Sequence, residues 1–305
     1  MNRREFLKKT AKLSALAGLA YAAGGAVVSS ASEKTLPYGL AAVRGGEPGP
    51  MFKKAIDALG GIGKFVKKGQ SVLVKPNIGW NVAPEFAANT NPKLVAEIIK
   101  ACLGAGASTV YVFDHTCDNW QESYKNSGIE AAAKEAGAKV VPGNSRKYYQ
   151  KVRVPGGTAL KEAEVHELVI DTDVFINVPV LKHHGTTKAT IAMKNLMGNV
   201  WERRTWHMGD LHRCIADFTA YRKPDLNVID AYNVMMKNGP RGIQSKEDLV
   251  NMKSLIASAD IVAADAASSK LFGREPETLD FIKIAHEKKL GTMNLNEVNI
   301  ARIAM

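Results

Sequence analysis

Lysine, histidine and asparagine side chains follow several short apolar segments of this sequence, and they are the residues best suited to chemistry. Lys75 ends one apolar segment, and Lys182 and His184 follow another. Imidazoles and amines can take up or release a proton, and charged amines attract anions. We predict that the acid/base residues are His184, His207 and Lys182. The residues predicted to bind a substrate are Lys75, Asn77, Lys194, Asn195 and Arg241.

Residues 178–200, VPVLKHHGTTKATIAMKNLMGNV, contain the densest group of these side chains. A helix is predicted over 187–197, and Gly185-Thr186-Thr187 stands where it would begin. Free backbone N–H groups and hydroxyls at such a start can hold an oxyanion, with help from Lys182 and Lys188. The GxxxxGK spacing of a Walker loop is absent. An ordinarily capped helix with solvated lysines explains the same residues, and both interpretations stay open.

A second pattern suits a metal ion. His207, Asp210, Cys214 and Asp217 recur at i, i+3, i+7 and i+10 within a helix predicted over 206–221, which places them on one face. Imidazoles and carboxylates are ligands for zinc, nickel or iron. The HExxH signature is absent, and a helix surface with Cys214 packed inward explains the same spacing. The predicted ligands of a divalent metal are His183, His184, His207, Asp210 and Asp217.

The cysteines limit the redox chemistry of the chain. Cys102, Cys117 and Cys214 are too few for an iron–sulfur cluster held by this chain alone, which needs four thiolates. At most one disulfide can form, for which the predicted pair is Cys102 and Cys117. Alternatively, Cys102 and Cys214 are small buried residues. No GxSxG elbow or nucleotide-binding GxGxxG is present, which disfavours serine hydrolases and dinucleotide-binding enzymes.

The first thirty residues predict export. Arg3-Arg4 in a basic head precede an apolar run over 13–28 and small residues at 29–31, a pattern typical of a twin-arginine signal cleaved after Ala31. The run is short and rich in Ala and Gly, which disfavours a stable membrane span after cleavage, and an uncleaved anchor is the alternative. We predict a periplasmic protein, carried by the twin-arginine translocase, with the signal at 1–31 and one α/β domain at 32–305.

Charge narrows the range of partners. The formal net charge is +11, and the predicted signal accounts for five basic residues and one acidic residue, which leaves +7 on the rest. These charges are spread in pairs such as Lys53-Lys54 and Arg203-Arg204 rather than in a basic block, so nucleic acid is not a predicted partner. The expected partner is a small anionic ligand.

Short β-rich segments alternate with helical periodicity along most of the chain. This alternation predicts an α/β fold: a doubly wound, mostly parallel sheet with helices on both faces. Residues 148–154 and 164–170 are predicted to pair as a small β-hairpin insertion. The predicted strands are 38–44, 71–75, 109–113, 139–141, 174–180, 226–229 and 255–257, and the predicted helices are 50–59, 91–103, 129–136, 187–197, 206–221, 259–271 and 277–288.

The carboxyl ends of the predicted strands are where a ligand would bind, because the loops at that edge of an open α/β sheet converge on one crevice. Four strand ends carry polar residues: Lys75-Pro76-Asn77, Asp114-His115, Asn177 with 182–184, and Asp230. We therefore expect these groups to share a site, in which Asp217 and Asp230 would bind the metal or orient a histidine.

Several long blocks of the sequence resemble one family. The blocks are VLVKPN at 72–77, NVPVLKHHGTTKATIAMKNLMG at 177–198, the segment 207–217, PDLNVIDA at 224–231, NGPRG at 238–242 and SADIVAADA at 258–266. On these blocks the chain is identified as a member of the family called domain of unknown function 362. The family pattern has Lys-Thr-His where this chain has Lys182-His183-His184, so His184 is the family-equivalent histidine and His183 is an additional one.

The resemblance implies the α/β fold but no particular reaction. Some relatives carry a ferredoxin-like cluster module, for which this sequence lacks the cysteines. The polar layout is more distantly similar to that of nickel-dependent lactate racemases, in which Lys and His residues assist a metal cofactor. We therefore predict an exported, metal- or cofactor-dependent enzyme, an oxidoreductase or isomerase, that acts on a small anion. The alternative is a non-catalytic periplasmic protein that binds the anion or delivers a metal or cofactor.

Replacing both Arg3 and Arg4 with lysine tests the predicted export route. The precursor should remain in the cytoplasm, because the twin-arginine route depends on this pair. Fractionation of cells that produce the wild type and the double variant gives the measurement. Normal export of the double-lysine form would show that the twin-arginine assignment is wrong.

Overall fold

The computed structural model describes residues 38–305, so the predicted signal at 1–31 lies outside the described residues. Within that range, no helix is long and apolar enough to cross a membrane. The described residues contain a mixed ten-stranded sheet and a separate two-stranded sheet. The strands are β1 (Leu40–Arg44), β2 (Ser71–Pro76), β3 (Thr109–Val112), β4 (Lys139–Val140), β5 (Tyr149–Arg153), β6 (Glu162–His166), β7 (Val174–Val178), β8 (Val180–His184), β9 (Lys188–Thr190), β10 (Leu226–Met235), β11 (Leu249–Ser258) and β12 (Ile300–Ala304).

The large sheet is mostly parallel. Its strands follow the order β12-β1-β11-β10-β7-β2-β3-β4, and β8 pairs with β10 and with β9. The run β10-β7-β2-β3-β4 is parallel, whereas β11 is antiparallel to both of its neighbours. The chain moves from β2 outward to β3 and β4 and then returns to the other side of β2 with β7. A topological switch point therefore lies between β2 and β7, the place where open α/β sheets bind ligands.

Helices cover both faces of the sheet, as the sequence predicts. They are α1 (Pro48–Ala58), α2 (Pro92–Gly104), α3 (Trp120–Asn126), α4 (Ile129–Glu135), α5 (Glu167–Asp171), α6 (Ala192–Asn195), α7 (Arg204–Met208), α8 (Leu211–Thr219), α9 (Ile261–Leu271) and α10 (Asp280–Glu287). Val72 and Val74 of β2 belong to the core beneath α1, α2 and α4, and Leu73 belongs to the core beneath α8, α9 and α10. The predicted fold class is confirmed.

The predicted hairpin insertion is also confirmed in outline. Strands β5 and β6 pair antiparallel outside the main sheet, with Tyr149 opposite His166 and Arg153 opposite Glu162. The second half ends earlier than predicted, because the chain enters α5 at Glu167. Nothing in the local pattern predicted β12, the antiparallel pairing of β11, or the full length of β10 and β11.

The helix predicted over 187–197 is wrong for its first half. Residues 180–190 form the antiparallel hairpin β8–β9, whereas Ala192–Asn195 is α-helical and continues as a 3-10 helix over Leu196–Asn199. Lys188 adopts a positive φ of 63°, which a helix does not allow. The β-branched residues Thr187, Thr190 and Ile191 favour an extended backbone here. The segment predicted to begin a helix at Gly185-Thr186-Thr187 is therefore a hairpin turn.

The helix predicted over 206–221 is interrupted, which removes the predicted metal stripe. Helix α7 ends at Met208, Gly209 has a non-helical conformation, and α8 begins after Asp210. The Asp210 carboxylate caps α8 by accepting from the Arg213 backbone N–H at 3.0 Å. His207 and Asp217 therefore stand on two different helices, and the i, i+10 relation no longer places them on one face.

The predicted disulfide between Cys102 and Cys117 is wrong. All three cysteines are free thiols. Cys102 and Cys214 are buried in the two cores, in agreement with the alternative prediction, whereas Cys117 is exposed.

Asp217 is a structural residue in this fold. Its side chain is fully buried, and Oδ2 accepts from the backbone N–H groups of Thr158, Ala159 and Leu160 at 2.8–3.1 Å. Its Oδ1 lies 2.6 Å from Lys288 Nζ. Burial favours a raised pKa, but the ammonium and the N–H donors outweigh burial and hold the Asp217 pKa below its ordinary value. The carboxylate joins α8 to the loop after β5 and to the end of α10, so it is not available to a metal.

Asp217→Asn should lower the free energy of unfolding by about 3 kcal/mol, because Lys288 loses its buried partner. The loss should be largest above pH 5 and should shrink as pH falls, because protonation of the wild-type carboxylate removes the same interaction. Urea unfolding between pH 3 and 7 gives the measurement. Asp210→Asn is the control. Asp210 is the exposed N-cap residue of α8, and asparagine caps a helix equally well, so this change should alter the free energy of unfolding by less than about 0.5 kcal/mol. A metal role would instead make the wild-type stability sensitive to chelators.

Candidate functional site

A pocket of about 270 Å³ opens at the carboxyl ends of β2 and β3, beside the switch point between β2 and β7. Strand β8, helix α6 and the segment before α7 complete its walls. The pocket brings together most of the predicted catalytic and substrate-binding residues, although they come from distant parts of the sequence. Those that line it are Lys75, Asn77, Lys182, His184, Lys194, Asn195 and His207.

A buried ion pair forms the floor of the pocket. Lys75 Nζ lies 2.8 Å from Asp114 Oδ1, and both side chains are almost completely buried. The ammonium also donates to Pro76 O at 3.0 Å and to Asn195 Oδ1 at 3.2 Å, so all three of its protons have acceptors. Burial lowers the Lys75 pKa, and Asp114 opposes that shift. Asp114 Oδ2 accepts from the Ile78 backbone N–H, which fixes the carboxylate against the ammonium.

Four asparagines extend this polar floor across the sheet, and we call them the asparagine row: Asn77, Asn195, Asn177 and Asn227. Asn77 Nδ2 donates to Asn195 Oδ1, Asn195 Nδ2 to Asn177 Oδ1, and Asn177 Nδ2 to Asn227 Oδ1, at 2.9–3.0 Å. Asn227 Nδ2 donates to Ser258 O at 3.3 Å. Register partners on neighbouring strands explain the row, since Lys75 pairs with Asn177, Asn177 with Asn227, and Asn227 with Ser258.

Lys182 is a buried amine that pairs with no carboxylate of the described residues. Its Nζ donates to Asn77 Oδ1 at 3.1 Å and to Ala88 O, and it lies 6.0 Å from the centre of the Trp80 ring. Burial lowers its pKa to about 7, and the positive charge of Lys194 adds to the effect. Near neutral pH this amine can therefore exist with or without its proton.

Lys194 is the third amine of the pocket. Among residues 38–305, no group forms a hydrogen bond or ion pair with its Nζ. Helix α6, which carries Lys194, is held by Asp265, whose carboxylate accepts from the backbone N–H groups of Ala192 and Met193 at 2.6 and 3.1 Å. Burial lowers the Lys194 pKa to about 8, and the charges of Arg203 and Lys75 contribute in the same direction.

His184 is held as a neutral hydrogen-bond donor. Its Nδ1 accepts from the backbone N–H groups of Thr186 and Thr187 at 3.2 Å each, so the proton of the neutral ring is on Nε2. Burial, followed by the charge of Lys194, holds the His184 pKa well below its ordinary value. The His207 ring stacks at 6.2 Å from the His184 ring at the exposed rim, and burial and then Lys194 also lower its pKa.

The predicted metal site does not form. Among the described residues, no group of three or more His, Cys, Asp or Glu side chains is arranged to hold a metal ion. His184 carries its proton on Nε2, so that atom has no lone pair for a metal. His183 Nδ1 accepts from the Gly239 backbone N–H at 3.1 Å, Asp210 caps α8 and pairs with Arg213, and Asp217 is occupied by Lys288.

Two other predicted residues are also placed elsewhere. Arg241 is exposed, and its Nε pairs with Asp118 Oδ2 at 3.1 Å, although the neighbouring Pro240 reaches the pocket wall. Asp230 accepts from the backbone N–H groups of Asn91 and Tyr232, and burial raises its pKa to about 6. Asp230 therefore supports the start of α2 rather than the pocket.

Sequence reasoning missed several pocket residues. Arg203 donates to His115 O and, at 2.7 Å, to Thr116 O, and it lies 3.4 Å from Cys117 Sγ. The His115 ring stacks on Trp201 with centroids 5.0 Å apart. The position of Asp114-His115 at a predicted strand end was a sequence feature that placed both residues near the pocket. Arg203 had no such feature, because it was read as one of the dispersed surface charges. Arg203 gives the pocket a cation whose guanidinium pairs with no carboxylate in the described part of the chain.

The chain belongs to the family that its sequence blocks resemble. The family model described as Domain of unknown function (DUF362) matches residues 72–270, which is more than half of the chain. The matched range contains the ion pair, the asparagine row and all three pocket lysines.

One relative and one solved structure are similar to the chain. The thylakoid-associated protein sll1697 of Synechocystis is 26% identical over 248 residues, which cover 79% of this chain and 74% of the relative. The lactate racemase apoprotein of Thermoanaerobacterium thermosaccharolyticum aligns with a TM-score of 0.48 and 12% identity. That alignment covers 75% of this chain but only 56% of the racemase, and it is no basis for a shared activity.

Gly198→Ala should disrupt the floor of the pocket. A Cβ at this position would overlap Asp114 Oδ1 and lie 2.6 Å from Lys75 Nζ, so the ion pair would have to separate. We expect the free energy of unfolding to fall by about 3 kcal/mol, measured by urea unfolding. Gly185→Ala is the control, because a Cβ there meets no atom within 4 Å, and its effect should stay below about 0.5 kcal/mol. Equal stability of the two variants would contradict the described packing of Gly198.

Proposed function

We propose that this chain is an exported periplasmic enzyme that binds a small anion in the described pocket and moves a proton with Lys182. The observation that carries the proposal is the charge of the pocket. Among residues 38–305, no carboxylate pairs with Lys182, Lys194 or Arg203, and Asp114, the one carboxylate that lines the pocket in this range, is paired with Lys75.

An anionic ligand supplies the missing negative charge. Cations that are partly removed from water are costly to the folded protein unless an opposite charge compensates them. A bound carboxylate, phosphate or sulfate group would compensate Lys182 and Lys194 together, and the Arg203 guanidinium could orient it. The volume of about 270 Å³ suits a small molecule rather than a nucleotide or a polymer.

Proton transfer is the chemistry that the remaining groups favour. A general base works best when its pKa lies close to the working pH, and burial brings the Lys182 pKa to about 7. His184 presents a neutral Nε2–H donor that can stabilise negative charge on a substrate oxygen without itself changing protonation state. Lys182 and His184 thus have complementary roles. The described residues do not assemble metal ligands, so no step of this proposal uses a metal held by the chain.

Sulfate and oxalate test anion binding, because their charge is constant above pH 6. Isothermal titration should show affinity falling from pH 6 to pH 9, as Lys182 and then Lys194 lose the protons that attract the anion. Lys182→Met and Lys194→Met should each weaken binding by about tenfold at pH 6. Lys188→Met, at an exposed lysine of β9, should leave binding unchanged. Binding that is independent of both pocket lysines would overturn the proposal.

Turnover separates an enzyme from a binding protein. We expect the wild type to exchange a carbon-bound proton of a 2-hydroxy or 2-oxo acid with deuterated water, followed by NMR. Lys182→Met should abolish the exchange, and Lys188→Met should retain it. Tight binding without exchange of any such acid would support instead a binding or maturation protein of the periplasm.

A further inference from the structure

The three pocket lysines have different hydrogen-bond environments. Lys75 Nζ has three acceptors, which use all the protons of its ammonium. Lys182 Nζ has two, Asn77 Oδ1 and Ala88 O. Lys194 Nζ has none among residues 38–305, although its side chain lines the same pocket. Only Lys194 can turn its nitrogen toward a ligand without leaving a buried oxygen unsatisfied.

Lys194 stands on a fixed backbone segment, and its surroundings suit its amine to nucleophilic attack. Asp265 fixes the backbone at the start of α6, two residues before Lys194. Burial, and then the neighbouring cations Arg203 and Lys75, disfavour the ammonium form of Lys194 and lower its pKa. Proteins activate a lysine for attack on a carbonyl carbon in this way. Lys194 is thus a nucleophile that lies among cations able to attract an anion. This combination suits a carbonyl compound that carries a negative charge.

We propose that Lys194 forms a Schiff base with a small aldehyde or ketone that carries a carboxylate or phosphate group. The inference rests on the proposed function for the binding of the anionic group, and it adds the class of substrate and the covalent step. Arg203 and Lys182 hold the anionic group, and Lys194 meets the carbonyl carbon.

The step balances without an oxidant or reductant. The lone pair of the neutral Lys194 amine forms a C–N bond to the carbonyl carbon, and the C–O π pair moves to oxygen. The nitrogen then releases one proton and the oxygen takes one up, which gives a neutral carbinolamine. The carbinolamine then loses its hydroxyl and the proton of nitrogen as water, which leaves the imine. His184 Nε2–H can donate a hydrogen bond to the oxygen as it becomes negative, and Lys182 can exchange the protons.

Glyoxylate and borohydride give a direct test on the unmodified protein. Glyoxylate is a small aldehyde with a carboxylate, and borohydride reduces an imine to a stable secondary amine that peptide mass spectrometry locates. At pH 7.5 we expect adduct on Lys194 at least tenfold faster than on the exposed Lys188. Acetaldehyde, the same aldehyde group without the charge, should lose this selectivity. Adduct spread evenly over surface lysines, or found on Lys182 instead, would overturn the inference.

Two variants complete the test. Lys194→Arg keeps the positive charge and should abolish the selective adduct, while sulfate binding stays within about threefold of the wild type. Arg203→Gln should slow the reaction with glyoxylate but not the reaction with acetaldehyde. Sulfate binding that depends on Lys182, together with no Lys194 adduct, would reject the Schiff base and keep the proposed function. If the wild type does not bind sulfate, the proposed function itself is rejected.

Discussion

A fully buried ammonium at the end of a central strand is the constraint on which this site depends. Lys75 lies on the face of β2 that also carries Leu73, where the neighbouring core is apolar, so its charge must be met by protein groups. Asp114 from the next strand meets it, and Gly198 leaves the space that both need. This one ion pair joins the end of β2 to the segment that follows β3. The pocket lies directly above the Lys75–Asp114 ion pair, and both residues line it.

The asparagine row continues the hydrogen bonds of the pocket floor into the interior of the sheet. Each amide is both donor and acceptor, so a row of amides can satisfy buried polar groups without adding charge. Among residues 38–305, Asp114 is the one carboxylate that lines the pocket, beside several cations. Burial is the main cause of the lowered pKa values of Lys182 and Lys194, and the positive charges of the neighbouring lysines and of Arg203 add to it.

The sequence was informative where local pattern and general topology suffice. The continuous apolar run at 72–74 predicts the buried strand β2, and the rule that strand ends converge predicts that Lys75 and Lys182 share a crevice. The β8–β9 hairpin was not predicted, because residues 187–191 suit helix and strand patterns alike and pairing with β8 decides between them. Asp217 was misassigned, because helical spacing is the same for a metal ligand and for a carboxylate that binds Lys288. Arg203 reaches the pocket through a loop whose course depends on contacts distant in sequence.

The asparagine row also has a direction. Every amide nitrogen points toward Ser258 and every amide oxygen toward the lysines, so reversing one amide would set like atoms against each other at both ends. The row is therefore stable in one orientation as a whole, and its dipoles reinforce one another. A substitution at Asn227, three strands from Asp114, would be transmitted to the oxygens that face Lys75 and Lys182. The four amides therefore form one oriented hydrogen-bonded chain, in which the orientation of each amide is set by its neighbours.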